Sequence, residues 1–127
     1  MSIQLDQVEY ANEAFYLAFE GKDIEAMEYL WSEAREPVCL HPGWPVLVGR
    51  EPVMESWRGI LSNPEQTHVS CFGARVTQLS EDTAIVACYE EVRDSVMAAT
   101  NVFVVEDERL RLVCHQSGFC AHPPERE

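Results

Sequence analysis

The first third of the chain carries apolar side chains at helical spacing. Over residues 5–19 they recur every three or four positions, so they share one helix face. These residues are Leu5, Val8, Ala11, Phe15 and Phe19. Gly21 is placed to end this helix as a left-handed cap, and Asp23 can cap a second, short helix. The apolar residues that share a face of the second helix are Ile24, Met27 and Trp31. The pattern predicts two helices before any strand.

A stretch rich in glycine and proline follows. PVCLH is a short extended run, Pro42-Gly43 turns the chain into VLV at residues 46–48, and Gly49 breaks it again. Pro52 suits the first turn of a third helix, which Asn63-Pro64 ends. The apolar side of that helix carries Val53, Trp57, Ile60 and Leu61. The pattern is therefore strand, turn, strand, helix.

From about residue 66 to 120 the apolar period changes to two, which is typical of strands. The segments are THVSCFGARVTQL, TAIVACYEEVR, MAATNVFVV and LRLVCHQSGF. Short connections between them favour an antiparallel meander. With the two early strands this predicts an α+β domain with a sheet of about six strands. We expect one domain over residues 1–122 and a frayed polar tail over residues 123–127.

Composition and charge narrow the choice of partners. Hydrophobic residues make up 46% of the 127 positions, enough for a core of its own. Nine basic against 22 acidic residues give a net charge of −13, so nucleic acid and anionic membranes are not expected as partners. The start MSIQLDQVEY lacks the basic and apolar regions of a secretion signal, and no window approaches the ~20 apolar residues of a membrane span. We expect a cytoplasmic protein.

The cysteines do not indicate a disulfide framework or a metal centre. There are five, none in CxxC spacing, and each lies in or beside a predicted strand, as expected for buried free thiols. Cys114, Cys120 and His122 match no common zinc spacing. The motifs GxSxG, HExxH, GxGxxG and GxxxxGK[ST] do not occur in the sequence. We therefore expect neither a metal nor a cofactor.

Several segments resemble a known superfamily. HPGWPVLVGREPVMESWRGIL, TAIVACYEEV, ATNVFV and LRLVCHQSGF are similar to recurring segments of bacterial members of the nuclear transport factor 2-like superfamily. That group includes SnoaL-like and ketosteroid isomerase-like proteins and the association domains of calmodulin-dependent kinases. The resemblance spans about residues 3–120. It implies a cone in which a curved antiparallel sheet wraps three N-terminal helices, leaves an apolar cavity and dimerises. The scaffold serves several enzyme classes and binding modules, so it leaves function open.

Strand alternation selects candidate site residues. Glu90 shares a face with Val86 and Cys88, and Asn101 shares a face with Phe103, so we expect these side chains to point toward the helices. A carboxyl group desolvated there has a raised pKa and can exchange protons near neutrality. The alternative is a strand-end glutamate that is hydrogen-bonded or solvated at the mouth of the cone. The same alternation predicts that His115, in phase with Arg111 and Val113, lies on the outer sheet face.

The stretch around residue 41 supplies a second set. His41 can act as a general base or orient a ligand, and Trp44 can stack on a flat ring. The alternative is that His41 is a turn residue that caps backbone groups. Trp57 is most simply a core residue, although it also lies near this predicted pocket wall. The predicted ligand-binding residues are Trp44, Trp57, Asn101 and Phe103.

Two functions remain open from the sequence. The first is a homodimeric domain that binds a small, largely apolar ligand or a partner protein and has no clear catalytic machinery. The alternative is a SnoaL-like isomerase, cyclase or dehydratase with Glu90 or His41 as general base and Asn101 as donor to an oxyanion. The superfamily's isomerases and cyclases place an aspartate on the inner wall, and none falls clearly there in this chain, which favours the first. The outer sheet face, with Ile85, Val113 and Phe119, is the expected dimer surface.

Overall fold

The described residues form three helices and six strands. The structure, a computed structural model, describes residues 2–126, so Met1 of the predicted domain and Glu127 of the predicted tail lie outside the described residues. The helices are α1 Leu5–Glu20, α2 Ile24–Leu30 and α3 Arg50–Ser62. The strands are β1 Val38–Leu40, β2 Leu47–Val48, β3 Val69–Ser80, β4 Thr83–Val92, β5 Ser95–Glu106 and β6 Arg109–Phe119. The predicted α+β class, with three helices before the long strands, is confirmed.

The six strands form one open sheet in the order β2-β1-β6-β5-β4-β3. The meander from β3 to β6 is antiparallel as predicted, but β1 pairs with β6 in parallel, from Val38↔Cys114 to Leu40↔Gln116. The sheet is therefore mixed rather than purely antiparallel. No hairpin joins β1 to β6, because α3 and the four strands β2 to β5 separate them along the chain, so no tight turn sets an antiparallel direction.

Helix α1 ends at glycine, though not in the predicted conformation. Gly21 has φ −81, whereas Lys22 takes the left-handed conformation with φ 55, so the prediction of a left-handed Gly21 is wrong. The Gly21 amide donates to the Leu17 carbonyl at 2.8 Å. A Cβ on Gly21 would lie 2.9 Å from that carbonyl oxygen, closer than carbon and oxygen tolerate. Close backbone approach, rather than positive φ, is what requires glycine here.

The core lies between the helices and the inner face of the sheet. Its largest fully buried side chains are Trp31, Trp57, Phe15, Phe103, Met27 and Leu112. The rings of Phe15 and Trp57 meet edge to face with centroids 5.6 Å apart, which joins α1 to α3. Full burial of each large apolar side chain contributes about 1.5–3 kcal/mol, so this cluster holds the helices on the sheet.

A β-bulge in β6 reverses the predicted orientation of His115. Phe103 pairs with Leu112 and Val102 with Cys114, so Val113 is an extra residue on β6. One extra residue inverts the in–out alternation beyond it. Leu112 and His115 therefore both face inward, and His115 is 1% exposed. The prediction that His115 lies on the outer face is wrong.

Candidate functional site

A cavity of about 600 Å³ lies between α1 and β3 and is called the α1–β3 cavity here. Its lining residues are Glu9, Asn12, Glu13, Tyr16, Leu17, Glu20, His68, Val69, Ser70, Cys71, Phe72, Gly73, Ala74, Val76 and Val86. Val86, Asn12 and Tyr16 are buried at its deep end, while Glu9 and Glu13 are exposed. The cavity has the size and the mainly apolar wall of a small-molecule site.

A bulge in β3 shapes the wall opposite α1. Phe72 pairs with Tyr89 but Arg75 pairs with Ala87, so β3 has one residue more than β4 between these pairs. Gly73 lies within this irregularity with φ 65, a conformation in which residues with a side chain are strained. Bulges bend the strand that carries them. β3 thus bends at the cavity wall.

Glu90 lies behind this wall, fully inside the fold. It is 3% exposed, on the inner face that strand alternation predicts. Its Oε2 accepts a hydrogen bond from the Tyr16 hydroxyl at 2.6 Å, and its Oε1 accepts one from Ser117 Oγ at 2.7 Å. Burial raises the pKa of Glu90 even though both hydrogen bonds favour the carboxylate. The carboxyl is therefore held more readily in its neutral form than a surface glutamate.

Asn101 joins three elements through its amide group. Its Oδ1 lies 2.6 Å from His115 Nδ1, and its Nδ2 donates to Asn12 Oδ1 at 2.9 Å. His115 Nε2 lies 3.8 Å from Glu90 Oε2. Burial lowers the pKa of His115 to about 3, so the ring is neutral at pH 7. We call Asn12, Tyr16, Glu90, Asn101 and His115 the polar network.

Two residues belong both to the cavity and to the polar network. Asn12 and Tyr16 line the cavity, while Glu90, Asn101 and His115 are absent from its lining. A molecule in the cavity can therefore contact the Tyr16 hydroxyl and the Asn12 amide directly. It reaches Glu90 only through Tyr16.

His41 belongs to a separate buried cluster at the start of the loop after β1. Its Nε2 lies 2.9 Å from Ser56 Oγ, and that hydroxyl donates to the Val53 carbonyl at 2.7 Å. Because Ser56 gives its only hydroxyl proton to Val53, it accepts at its contact with His41, and His41 Nε2–H is the donor. Burial, and then the neighbouring His115, lower the pKa of His41 to about 4. At pH 7 the ring is neutral and holds helix α3 by a hydrogen bond.

The other predicted ligand residues lie around His41 and in the core. Trp44 is 48% exposed, with its ring edge-on to His41 at a centroid distance of 4.9 Å. Trp57 and Phe103 are fully buried, and Trp57 Nε1 has no hydrogen-bond partner among the described residues. None of the three lines the α1–β3 cavity. Their role in ligand binding stays a prediction.

The strand alternation that selects Glu90 and Asn101 does not find Tyr16 and Asn12, which lie on helix α1. Both lie on the buried face of α1, four residues apart, so they stack one turn above the other. A polar pair on the buried stripe of an amphipathic helix is a usable signal, because burying such groups is costly without partners. Ser117 lies beyond the same β6 bulge and is in phase with His115, so strand alternation assigns it to the outer face as well.

Over residues 2–126, no group of three or more His, Cys, Asp or Glu side chains is arranged to hold a metal ion. Neither α1, α2 nor α3 is long and apolar enough to cross a membrane.

Fold and cavity together define a small α+β domain in which a curved sheet and a helix enclose a pocket. The chain belongs to the SnoaL-like domain family, whose model matches residues 8–122. The resemblance to the nuclear transport factor 2-like superfamily is thereby confirmed. No curated protein sequence matches the chain.

Solved structures agree with this assignment. A protein of the nuclear transport factor 2-like family from Streptomyces avermitilis, provisionally named a dehydratase, is 31% identical with a TM-score of 0.80, covering 93% of this chain and 97% of that one. A provisionally named calcium/calmodulin-dependent kinase type II association domain from Thiobacillus denitrificans is 26% identical with a TM-score of 0.74, covering 88% and 94%. A ketosteroid isomerase-like protein from Erwinia carotovora atroseptica shares the fold at 19% identity, with a TM-score of 0.75 and coverage of 94% and 97%.

Proposed function

We propose that this protein binds a small, largely apolar molecule in the α1–β3 cavity. The observation that carries the proposal is the cavity itself, about 600 Å³ with Asn12, Tyr16 and Cys71 as polar groups on a mainly apolar wall. A few polar groups on such a wall orient a ligand while the apolar surface supplies affinity. Glu9, Glu13 and Glu20 line the cavity as well and favour a neutral or cationic ligand over an anionic one.

The polar network supports binding rather than catalysis as the main activity. Both carboxylate oxygens of Glu90 are occupied by hydroxyl donors, and the carboxyl is absent from the cavity lining. His41 is also absent from that lining and holds Ser56. The Asn101 amide donates to Asn12 and does not line the cavity, whereas Asn12 does. Neither of the two predicted bases, Glu90 and His41, therefore lines the cavity in which the ligand would bind.

A proton-transfer enzyme of the isomerase, cyclase or dehydratase type is the second candidate. One observation favours it: Tyr16 contacts both the cavity and Glu90, whose pKa is raised by burial. A proton can pass between Glu90 and a ligand through that hydroxyl. The naming of the Streptomyces avermitilis relative as a dehydratase agrees with this candidate.

Filling the cavity tests the binding proposal. Val76 lines the cavity and the next residue, Thr77, is exposed, so Val76→Trp and Thr77→Trp form a matched pair. The probe is Nile red, a neutral apolar dye whose fluorescence reports binding. We expect Val76→Trp to weaken its binding by about tenfold or more, a change of about 1.4 kcal/mol, and Thr77→Trp to leave it unchanged. Unweakened binding by a folded Val76→Trp protein would show that the dye binds elsewhere.

Glu90→Gln separates the two candidates. In a binding protein this change leaves ligand affinity within a few-fold, because Glu90 does not line the cavity. In an enzyme it abolishes turnover of the substrate while leaving its binding similar, as expected for a group that acts mainly in the transition state. A substrate converted equally well by Glu90→Gln would exclude Glu90 as the base.

We also propose that the protein is a cytoplasmic homodimer joined through the outer sheet face. Its five cysteines are free thiols, which suits a reducing compartment. A hollow of about 400 Å³ on the outer face is bordered by Ala87, Ala98, Gln116 and Phe119, and the one charged residue in its lining is Arg75. On a chain of net charge −13, a surface without carboxylates is where a second copy is repelled least.

A further inference from the structure

Cys71 is the one cysteine on the wall of the α1–β3 cavity. It lies on β3, is half-buried and is part of the cavity lining. Cys39 and Cys88 are buried, and Cys114 and Cys120 are half-buried but lie on β6 and just beyond it. A molecule that occupies the cavity can therefore contact the sulfur of Cys71, which is the one thiol in the lining.

A directional chain of hydrogen bonds ends at this sulfur. His115 is neutral and lies 2.6 Å from Asn101 Oδ1, to which its Nδ1–H donates. Asn101 then directs its Nδ2 to Asn12 Oδ1, at 2.9 Å. Asn12 consequently directs its own Nδ2 to Cys71 Sγ, at 3.7 Å. Each amide can accept only at its oxygen, so each bond sets the orientation of the next amide.

This chain gives Cys71 a fixed hydrogen-bond donor. A donor stabilises the thiolate relative to the thiol. A hydrogen bond from Cys88, together with that from Asn12, lowers the pKa of Cys71, although burial and the charge of Glu90 act against it. Arg126, from the C-terminal segment, also favours the thiolate. By contrast, burial raises the pKa of Cys39 and of Cys114.

We propose that Cys71 is a nucleophilic residue of the α1–β3 cavity, and that the ligands of this site include apolar α,β-unsaturated carbonyl compounds. This inference rests on the proposed function, because it names a class of ligand for the same cavity. A thiolate is a soft nucleophile, and addition to a conjugated alkene needs no leaving group, oxidant or reductant. A mainly apolar wall suits such a ligand.

The reaction is a conjugate addition. The thiol proton leaves to water, and the sulfur lone pair forms a C–S bond to the β-carbon of the ligand. The π electrons of the alkene move toward the carbonyl and give an enolate, which takes one proton from water at the α-carbon. The net change is addition of S–H across the double bond, with no change in the number of protons or electrons in the system.

Chalcone, an apolar enone, and its saturated analogue dihydrochalcone test the proposal on the wild-type protein. Trypsin yields separate peptides for Cys39 (36–50), Cys71 (59–75) and Cys88 (76–93) and a shared peptide for Cys114 and Cys120 (112–126). Mass spectrometry therefore follows each adduct. We expect chalcone to modify the Cys71 peptide at least about tenfold faster than any other cysteine peptide. We expect dihydrochalcone to slow that reaction by occupying the cavity.

Three results would overturn the inference. If dihydrochalcone displaces Nile red but chalcone does not prefer Cys71, the thiol is not nucleophilic and the binding function stands. If Cys71 is modified but dihydrochalcone does not slow the reaction, the reaction does not use the cavity. If neither Nile red nor dihydrochalcone binds, the proposed function fails and this inference fails with it.

A substitution tests the role of the Asn12 amide. Asn12→Asp replaces the donor near Cys71 with a carboxylate at nearly constant volume, and Gln7→Glu adds the same charge at an exposed position of α1. We expect the pH profile of Cys71 modification to move up by about one pKa unit in Asn12→Asp, about a tenfold slower reaction below the pKa, and to stay unchanged in Gln7→Glu. Equal profiles in the two variants would remove Asn12 from the proposal, and if Asn12→Asp does not fold, the wild-type peptide rates decide.

Discussion

The phenolic oxygen of Tyr16 on α1 lies 2.6 Å from Oε2 of Glu90 on β4, although 74 residues separate them in the chain. This bond joins the wall of the α1–β3 cavity to the polar network behind it. Both residues are buried in the fold, at 6% and 3% exposure. The position of α1 on the sheet therefore determines whether Tyr16 can contact both Glu90 and the cavity.

Removal of the Tyr16 hydroxyl should destabilise the fold. We expect Tyr16→Phe to lower the free energy of unfolding by about 1–3 kcal/mol, because it leaves a buried carboxyl oxygen without its donor. Tyr10→Phe is the matched control, since Tyr10 lies on the same helix and is 71% exposed. Urea unfolding measures both variants. Equal stabilities would mean that the bond adds nothing to the folded state.

The raised pKa of Glu90 predicts a specific pH dependence. Above the ordinary glutamate value of 4.5 the folded protein holds a proton at Glu90 that the unfolded chain releases, so this group lowers stability as pH rises toward its folded pKa. Glu90→Gln removes the titration. The stability of wild type relative to Glu90→Gln should therefore fall as pH rises above 4.5, as urea unfolding at each pH measures. Glu81→Gln, at an exposed turn, should show no such trend.

The buried histidines act in the opposite direction. His115 and His41 have pKa values lowered to about 3 and about 4, so the unfolded chain binds protons that the folded protein does not. Their contribution to stability is present above pH 6.5, the ordinary pKa of histidine. It is lost as pH falls from 6.5 toward about 4 for His41 and about 3 for His115. His115→Gln should lose less stability than wild type between pH 7 and 5, by up to about 1.4 kcal/mol per pH unit. His122→Gln, at an exposed position, should match wild type, and a wild-type slope in both variants would contradict the prediction.

Glu106 holds the loop after α2. It accepts from Ser32 Oγ at 2.6 Å and from the amides of Glu33 and Ala34 at 2.9 and 3.2 Å. Burial opposes the carboxylate, yet these bonds lower the pKa of Glu106 to about 2, so its contribution is present above pH 4.5 and lost as pH falls toward 2. We expect Glu106→Gln to cost about 1–3 kcal/mol at pH 7, against little change for the exposed Glu108→Gln. Denaturant unfolding and amide exchange of residues 32–35 check this, and a neutral Glu106→Gln would contradict it.

The outer sheet face should join two copies of the chain. Phe119 is 72% exposed beside the hollow that contains Ala98. We expect the wild-type protein to sediment as a dimer at micromolar concentration and Ala98→Arg to sediment as a monomer, because a charge would be buried without a partner. Ala34→Arg, at an exposed loop position, should remain dimeric. A stable wild-type monomer would contradict the predicted interface.

Local patterning in the sequence determined the elements and part of the site. The helical spacing of Val8 and Phe15 placed α1, and strand alternation put Glu90 and Asn101 inside. These inferences succeed because backbone geometry sets the side-chain period within each element, and burial of one face selects which residues are apolar.

Only the tertiary structure decided which elements meet and where alternation breaks. The extra residue at Val113 turned His115 inward, and nothing in the residue types around it marks a bulge. The parallel pairing of β1 with β6, the cavity between α1 and β3, and the bond from Tyr16 to Glu90 all join distant parts of the chain. Periodicity is a property of neighbouring residues, whereas these contacts depend on how whole helices and strands pack once the core closes.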